Sequence, residues 1–458
     1  MIDTAITPAT RFLADRLGLA GHELAQALAH AARGDYRVVQ VPRGDGRTRE
    51  LAEPAAQLKV VQSAILRHLL NHTAVSPFAH GFVPGRSIVT NARVHASLSA
   101  TGADPGERGM VNADLKDAFP SVKGKRIRRV LEWFVGPMLR RETPSLTREV
   151  RSEVFDTLAT LCTFRDCLPQ GAPTSGMLLN LACTRLDRLI ARHLLRGYAS
   201  QHGPANMRYS RYADDLTFTA SGPFSPEFVD ALRAVVVQSG FMLNLRKTHR
   251  TSTRAGDLVI CGVRLLPDGE LGLPRAILRQ YRALFDSSLA YDAKTIPDDL
   301  RHRIIGSLGF LRMVMPACPP RLETPMARML AVHRDWLPMA APRDAGFPMP
   351  AYALPGPTRA QPPAHDRDVM DFRPDKQDQR RLMEQVGTPW TPPTPRSRKP
   401  PASPDNFDLA KLIRDISKAL ADGTLSTDQD LQRRLVTALG CLVALIFLGL
   451  LLVLLNLS

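Results

Sequence analysis

Two adjacent aspartates, Asp214 and Asp215, sit in Tyr212-Ala213-Asp214-Asp215 between two strand-prone runs, Met207 to Arg211 and Leu216 to Thr219. That arrangement predicts a β-hairpin with both carboxylates at its tip. A third carboxylate, Asp114, closes another strand-like run that starts at Gly109, and Leu115-Lys116-Asp117-Ala118-Phe119-Pro120 then leaves the sheet. Three acidic groups on neighbouring strands suit nucleotidyl transfer, in which two hard cations about 3.5 to 4 Å apart activate a hydroxyl and neutralise a triphosphate. Magnesium usually takes one or two carboxylates, with phosphates and water completing its shell, so no closed protein cage is required. An Asp-Asp pair alone is also ordinary turn chemistry, and the surrounding residues have to decide between the two.

The elements that would hold these carboxylates follow from periodicity. Phe12, Leu13, Leu17, Leu24, Ala27 and Leu28 recur at helical spacing and predict amphipathic helices opening the folded part. Tyr36 to Leu51 alternates around Val39 and Val41 and turns at Gly44-Asp45-Gly46, a hairpin with basic arms. Its Arg43, Arg47 and Arg49 are candidates for phosphate contacts, or for a solvated tip. Short strand-like runs alternate with longer helical ones between Gly109 and Gly269, the pattern of a mixed α+β domain. Within it, Leu168 to Gly176 carries a glycine and two prolines that force a tight turn before a helix beginning near Ser175. Beyond Leu273, Ile277, Tyr281 and Leu284, then Leu300, Ile304, Ile305, Leu308, Phe310 and Leu311, predict a small helical bundle as a separate lobe.

The chain has 458 residues, with 60 Lys and Arg against 44 Asp and Glu, a formal net charge of +16. A polyanionic partner, nucleic acid or anionic lipid, fits that balance. The 6 cysteines show neither paired spacing nor histidines at zinc-ligand distance, which excludes a zinc cluster and a disulfide framework. The N-terminus lacks the long apolar run of a secretory signal. Residues 339–404 are rich in proline and poor in aliphatics, an expected disordered linker. Leu409, Leu412, Ile413, Ile416 and Leu420 then predict an amphipathic helix over 405–423, suited to dimerisation or to a lipid surface. Leu435 to Leu455 carries no charge and spans about 30 Å as a helix, so 435–457 is expected to cross a bilayer. Arg433 and Arg434 flank its N-terminal side, which predicts tail anchoring in the inner (cytoplasmic) membrane with the catalytic domain in the cytoplasm.

Three blocks in order, NADLKDAFPSV, LPQGAPTSGMLLNLAC and YSRYADDLTFT, resemble successive motifs of a reverse-transcriptase palm. The resemblance implies that Asp114, Asp214 and Asp215 are the first, second and more loosely coordinating third metal aspartates. Phe119, five residues past Asp114, matches the aromatic gate against a ribonucleotide 2′-hydroxyl, or is a plain core ring. Gln170 and Gly171 match the loop beneath the template and nascent base pair, a place that a simple helix-capping loop could equally fill. Lys247, in Gly240 to Thr248, matches the proton donor to departing pyrophosphate, and a mobile surface lysine reads the same way. Cys261 and Gly262, in Val259 to Arg264, match the primer-grip hairpin. Asn91-Ala92-Arg93-Val94-His95 fits the Asn-Ala-x-x-His signature of bacterial retron enzymes and follows Gly81 to Ser87, another stretch they share. Asn91 and His95 are thereby candidates for RNA contact, or for hydrogen bonding within the fingers. Ile260-Cys261-Gly262 replaces the family's Val-Thr-Gly, so its threonine is absent.

The resemblance implies a right-hand polymerase: helices and fingers over 1–108, an α+β palm over 109–270 and a helical thumb over 271–338. It further implies two Mg²⁺ ions, deoxynucleoside triphosphates, a noncoding RNA serving as template and 2′-hydroxyl primer, a cDNA product and a role in antiphage defence. The membrane helix would then position the complex or damage the bilayer, and an effector protein is a candidate partner. Two rivals stand beside this reading: a defence reverse transcriptase without a retron RNA, and a catalytically silent, membrane-tethered RNA-binding scaffold.

Overall fold

The computed structural model describes residues 7–42, 48–96, 107–198 and 207–333. Helix α1 (Pro8–Leu17) starts where the Thr7 hydroxyl accepts the Thr10 N–H at 3.2 Å, and it stops at Gly18 in the left-handed region. Helix α2 (Gly21–Arg33) is opened by the Glu23 carboxylate, which accepts the Ala20 N–H at 2.8 Å, and is closed by Gly34. Strands β1 (Tyr36–Pro42) and β2 (Thr48–Pro54) form the expected antiparallel hairpin, with Val39 opposite Leu51 and Val41 opposite Arg49. Its tip, with Arg43 and Arg47, lies outside the described residues. Helix α3 (Ala56–His68) buries Leu58, Val61 and Ile65 in the core that α1 and α2 share.

The segment expected to form the palm carries one antiparallel sheet in the order β4-β5-β3-β6, formed by β3 (Arg108–Asp114), β4 (Arg208–Tyr212), β5 (Asp215–Ser221) and β6 (His249–Ser252). Period-two alternation gives each strand two faces. Val111, Ala113, Leu216, Phe218 and Ala220 face a core closed by α6 (Gly124–Phe134), α8 (Arg148–Cys162), α9 (Ser175–Ala182) and α11 (Pro226–Gln238). Between α9 and α11 lies α10 (Thr184–Ile190), with α5 (Ala118–Ser121) directly after β3 and α7 (Gly136–Glu142) after α6. Every residue of α9 is buried.

A second core gathers Leu258, Ile260, Val263, Leu265, Leu271, Phe285, Ile304, Leu308 and Leu322. It joins the small sheet β7 (Val259–Ile260), β8 (Val263–Leu265) and β9 (Leu271–Gly272) to α12 (Arg275–Ser288), α13 (Asp298–Val314) and α14 (Pro320–Val332). The sheet expected to end the palm at 270 therefore shares its hydrophobic packing with the thumb helices. Ala92 and Ala96 of α4 (Ile88–Ala96) belong to this cluster too, as does Met110 on the second face of β3. Among the described residues no helix is long and apolar enough to cross a membrane. The expected linker (339–404), amphipathic helix (405–423) and bilayer-crossing helix (435–457) lie outside the described residues.

Candidate active site

Pairing of Tyr212 with Asp215 leaves Ala213 and Asp214 as a two-residue turn between β4 and β5. Ala213 adopts φ +58, an uncommon conformation for a residue with a Cβ, and the surroundings hold it there. Asp114 is directly opposite Asp215 across β3 and β5, and the Leu115 N–H donates to the Asp214 carbonyl at 3.0 Å. One strand end and one hairpin tip thus bring the three carboxylates to the same edge of the sheet. Asn244 donates its amide to Asp114 Oδ2 at 3.0 Å, and the Lys247 ammonium lies 3.3 Å from Oδ1 and 3.2 Å from Oδ2. Burial raises the Asp214 pKa, and the Asp114 charge adds to it. Burial, then the charges of Asp214 and Asp114, pushes Asp215 up to about 6.

Among the described residues no group of three or more His, Cys, Asp or Glu side chains is arranged to hold a metal ion by itself. The donor set nonetheless fits a divalent cation whose remaining ligands come from a substrate. It is all oxygen, it is anionic, and burial followed by mutual repulsion raises two of the three carboxyls, a cost that a cation would relieve. Asp114, Asp214 and Asp215 are the residues that would hold it.

A cleft opens in front of this edge, lined by Arg49, Lys116, Arg165, Gln170, Arg246 and Lys247 as well as by Asp114 and Asp214. Arg49 reaches in from β2, and its Nε donates to Gln170 Oε1 at 2.8 Å. The Gln170 carbonyl accepts the Ala52 N–H at 2.7 Å, and Gly171, at φ +118, lies against the Ala52 carbonyl. Gln170 and Gly171 therefore form the seam where the β1–β2 hairpin meets the turn before α9. The Phe119 ring is only 4% exposed and meets Phe82 edge-on at 6.3 Å, while its neighbours Asp117, Ala118 and Pro120 line the cleft.

Asn91 and His95 depart from the expected RNA contact, because both are fully buried on α4. His95 Nδ1 pairs with Thr219 Oγ1 at 2.8 Å and Nε2 with Ser210 Oγ at 2.7 Å, so the imidazole pins α4 to the β4–β5 hairpin that carries the two adjacent aspartates. The Asn91 amide donates to Cys261 Sγ at 3.6 Å. Cys261 and Gly262, at φ +47 and +83, form the two-residue turn joining β7 and β8. Burial and then the Asp215 charge push the Cys261 thiol up to about 12.

Two groups were not singled out from sequence. Asn244 stands three residues before Lys247, inside the same motif, and that proximity was the available signal. Arg211, in β4, is fully buried, and Asp187 of α10 grips it with both carboxylate oxygens at 3.0 and 2.9 Å. A basic residue in a strand gives no local sign of that burial.

Residues 41–280 match the profile of the reverse transcriptase (RNA-dependent DNA polymerase) family. Retron Mx65 reverse transcriptase of Myxococcus xanthus is 36% identical over 294 residues, which cover 63% of this chain and 63% of the relative. Retron Ec86 reverse transcriptase of Escherichia coli is 29% identical over 264 residues, covering 57% of this chain and 72% of the relative. The match to the Myxococcus protein thus spans less than two thirds of that protein's length. Among solved structures, telomerase from Candida tropicalis, in complex with a fragment of telomeric RNA, aligns at 10% identity with a TM-score of 0.36, covering 68% of this chain and 59% of that one.

Proposed function

Because the chain belongs to the reverse transcriptase family, we propose that it is an RNA-directed DNA polymerase of the retron type, adding deoxynucleoside triphosphates to a primer hydroxyl with release of pyrophosphate. The observation that carries this reading is the meeting of Asp114, Asp214 and Asp215 at one sheet edge, beside Lys247 and facing a cleft rich in arginine and lysine. The three carboxylates would hold two Mg²⁺ ions, which when bound activate the primer hydroxyl and neutralise the triphosphate.

The chain's own residues supply the rest. Arg49 and Arg165 offer guanidinium donors to an incoming triphosphate from the fingers side. Lys247 carries the proton for the leaving pyrophosphate, and Asn244 keeps Asp114 oriented toward it. Phe119, held by Phe82, limits the space beside the sugar. The template and primer belong to a partner noncoding RNA, and the cDNA stays joined to it. Residues 435–457 attach the complex to the inner membrane, where it serves antiphage defence.

Primer extension with the full chain and with Asp214→Ala plus Asp215→Ala tests the catalytic reading. Mg²⁺-dependent incorporation is expected from the first alone, and its absence from both would leave an RNA-binding scaffold. Sequencing the co-purified nucleic acid separates a retron enzyme, which yields a branched RNA–DNA product, from a defence reverse transcriptase that uses no retron RNA.

A further inference from the structure

Arg211 makes polar contacts with four parts of the fold. Besides Asp187, its Nη1 donates to the Asn180 Oδ1 at 2.8 Å and to the Ala213 carbonyl at 2.9 Å. Its own peptide joins the fingers: the Arg211 N–H donates to the Phe78 carbonyl at 2.7 Å and its carbonyl accepts the His80 N–H at 2.7 Å. Asn180 completes the circuit, because its Nδ2 donates to the Gly81 carbonyl at 2.7 Å. Tyr209 adds a third hydrogen bond to Asp187, at 2.8 Å from its hydroxyl.

Stability alone does not account for this arrangement. Stripping water from two charges costs about as much as their attraction returns, and an apolar replacement of similar volume is often neutral. A lysine would also supply the charge. What only a guanidinium supplies is a flat fork whose donors are aimed in fixed directions, here toward a carboxylate, an amide and a main-chain carbonyl at once. That carbonyl belongs to Ala213, the residue with the strained φ of +58 that lies between Arg211 on β4 and the two aspartates.

We propose that Arg211, clamped by Asp187 and bonded to Asn180 and the Ala213 carbonyl, is a positioning residue that ties the fingers segment 78–81 to the catalytic turn and so sets how well Asp214 and Asp215 hold a divalent cation. The proposal rests on the polymerase reading above. Its consequence is a link between the fingers, which present Arg49 to the cleft, and the metal ligands.

The test uses the full chain carrying Arg211→Lys, which keeps the charge, and Asn180→Ala, which keeps the Asp187 ion pair but removes both the Arg211 Nη1 bond and the Gly81 link. Mn²⁺ binding is measured by electron paramagnetic resonance, alongside thermal melting and primer extension across a Mg²⁺ series. Arg211→Lys is expected to weaken Mn²⁺ binding about tenfold or more, the usual effect of losing an outer-shell partner. It should raise the Mg²⁺ needed for half-maximal extension by a similar factor and leave the KM for deoxynucleotide within about twofold, with activity recovering at high Mg²⁺. Asn180→Ala should move the same quantities in the same direction by about threefold. Wild-type Mn²⁺ affinity and Mg²⁺ requirement in both variants would overturn the proposal, and so would an unchanged Asn180→Ala if Arg211→Lys fails to fold. A wild-type chain that neither binds Mn²⁺ nor extends a primer would instead sink the polymerase reading.

Discussion

His95 shows how one buried ring sets an acid limit on this fold. Burial, then the charges of His80 and Arg208, lowers its pKa from 6.5 to about 3, so the folded chain keeps it neutral. Below about pH 6.5 the unfolded chain takes up a proton that the fold refuses. The stability tied to His95 is thus complete above that pH and is lost progressively toward pH 3. His95→Gln should cost about 1 to 3 kcal/mol at neutral pH, where two buried hydrogen bonds are disturbed. The difference in urea midpoint between wild type and variant should shrink on acidification, since glutamine does not titrate; a constant difference would show that the ring is not held neutral. Asp215 has the opposite sign. Its pKa is raised from 3.8 to about 6, so in the metal-free protein its ionised form is disfavoured by folding. Asp215→Asn should therefore raise the metal-free melting temperature at neutral pH, and this gain should vanish as acidification protonates the wild-type carboxyl in both states.

At the level of elements, two glycines mark where segments approach too closely for a side chain. A Cβ on Gly81 would lie 2.7 Å from the Ala213 nitrogen, so Gly81→Ala has to displace the catalytic turn itself. It is expected to cost about 1 to 3 kcal/mol and to cut incorporation more than about tenfold. On Gly176 a Cβ would lie 2.3 Å from Cγ of Phe82, a side-chain atom of a residue that is 56% exposed, so the clash falls on a ring and not on backbone. Gly176→Ala should thus leave melting closer to wild type than Gly81→Ala does, and comparing the two melting curves checks the ordering. The catalytic hairpin was legible in the sequence because alternation, a turn and adjacent acids coincide within about a dozen residues. The roles of Asn91 and His95 were not. Their i, i+4 spacing is local, but the partners Cys261, Ser210 and Thr219 lie more than a hundred residues away. Arg211 was opaque for the same reason, its meaning being fixed by Asp187 and Asn180 on two other helices.

Across the whole molecule, the net charge of +16 would make binding of the proposed RNA partner a matter of counterion release. Affinity for a structured RNA, followed by fluorescence anisotropy, should fall about tenfold or more between about 50 and 200 mM salt; binding indifferent to salt would point away from phosphate contacts. Removing residues 339–458 should preserve primer extension while shifting the protein out of the membrane fraction, so fractionation and activity assays on one truncated chain address both ends of the proposal. The division into lobes was only partly legible, because β7 to β9 look like a continuation of the palm until their packing against Phe285 and Ile304 is seen. Helix α4 carries that point furthest. It offers His95 to the hairpin that carries Asp214 and Asp215, and Ala92 and Ala96 to the second core, so one nine-residue helix ties that hairpin to the core of the C-terminal helices. For anyone building chimaeras, the exchangeable thumb is therefore discontinuous: a donor segment replacing residues 258–333 alone would arrive without its matching helix, and a graft that also carries 88–96 is the one expected to assemble.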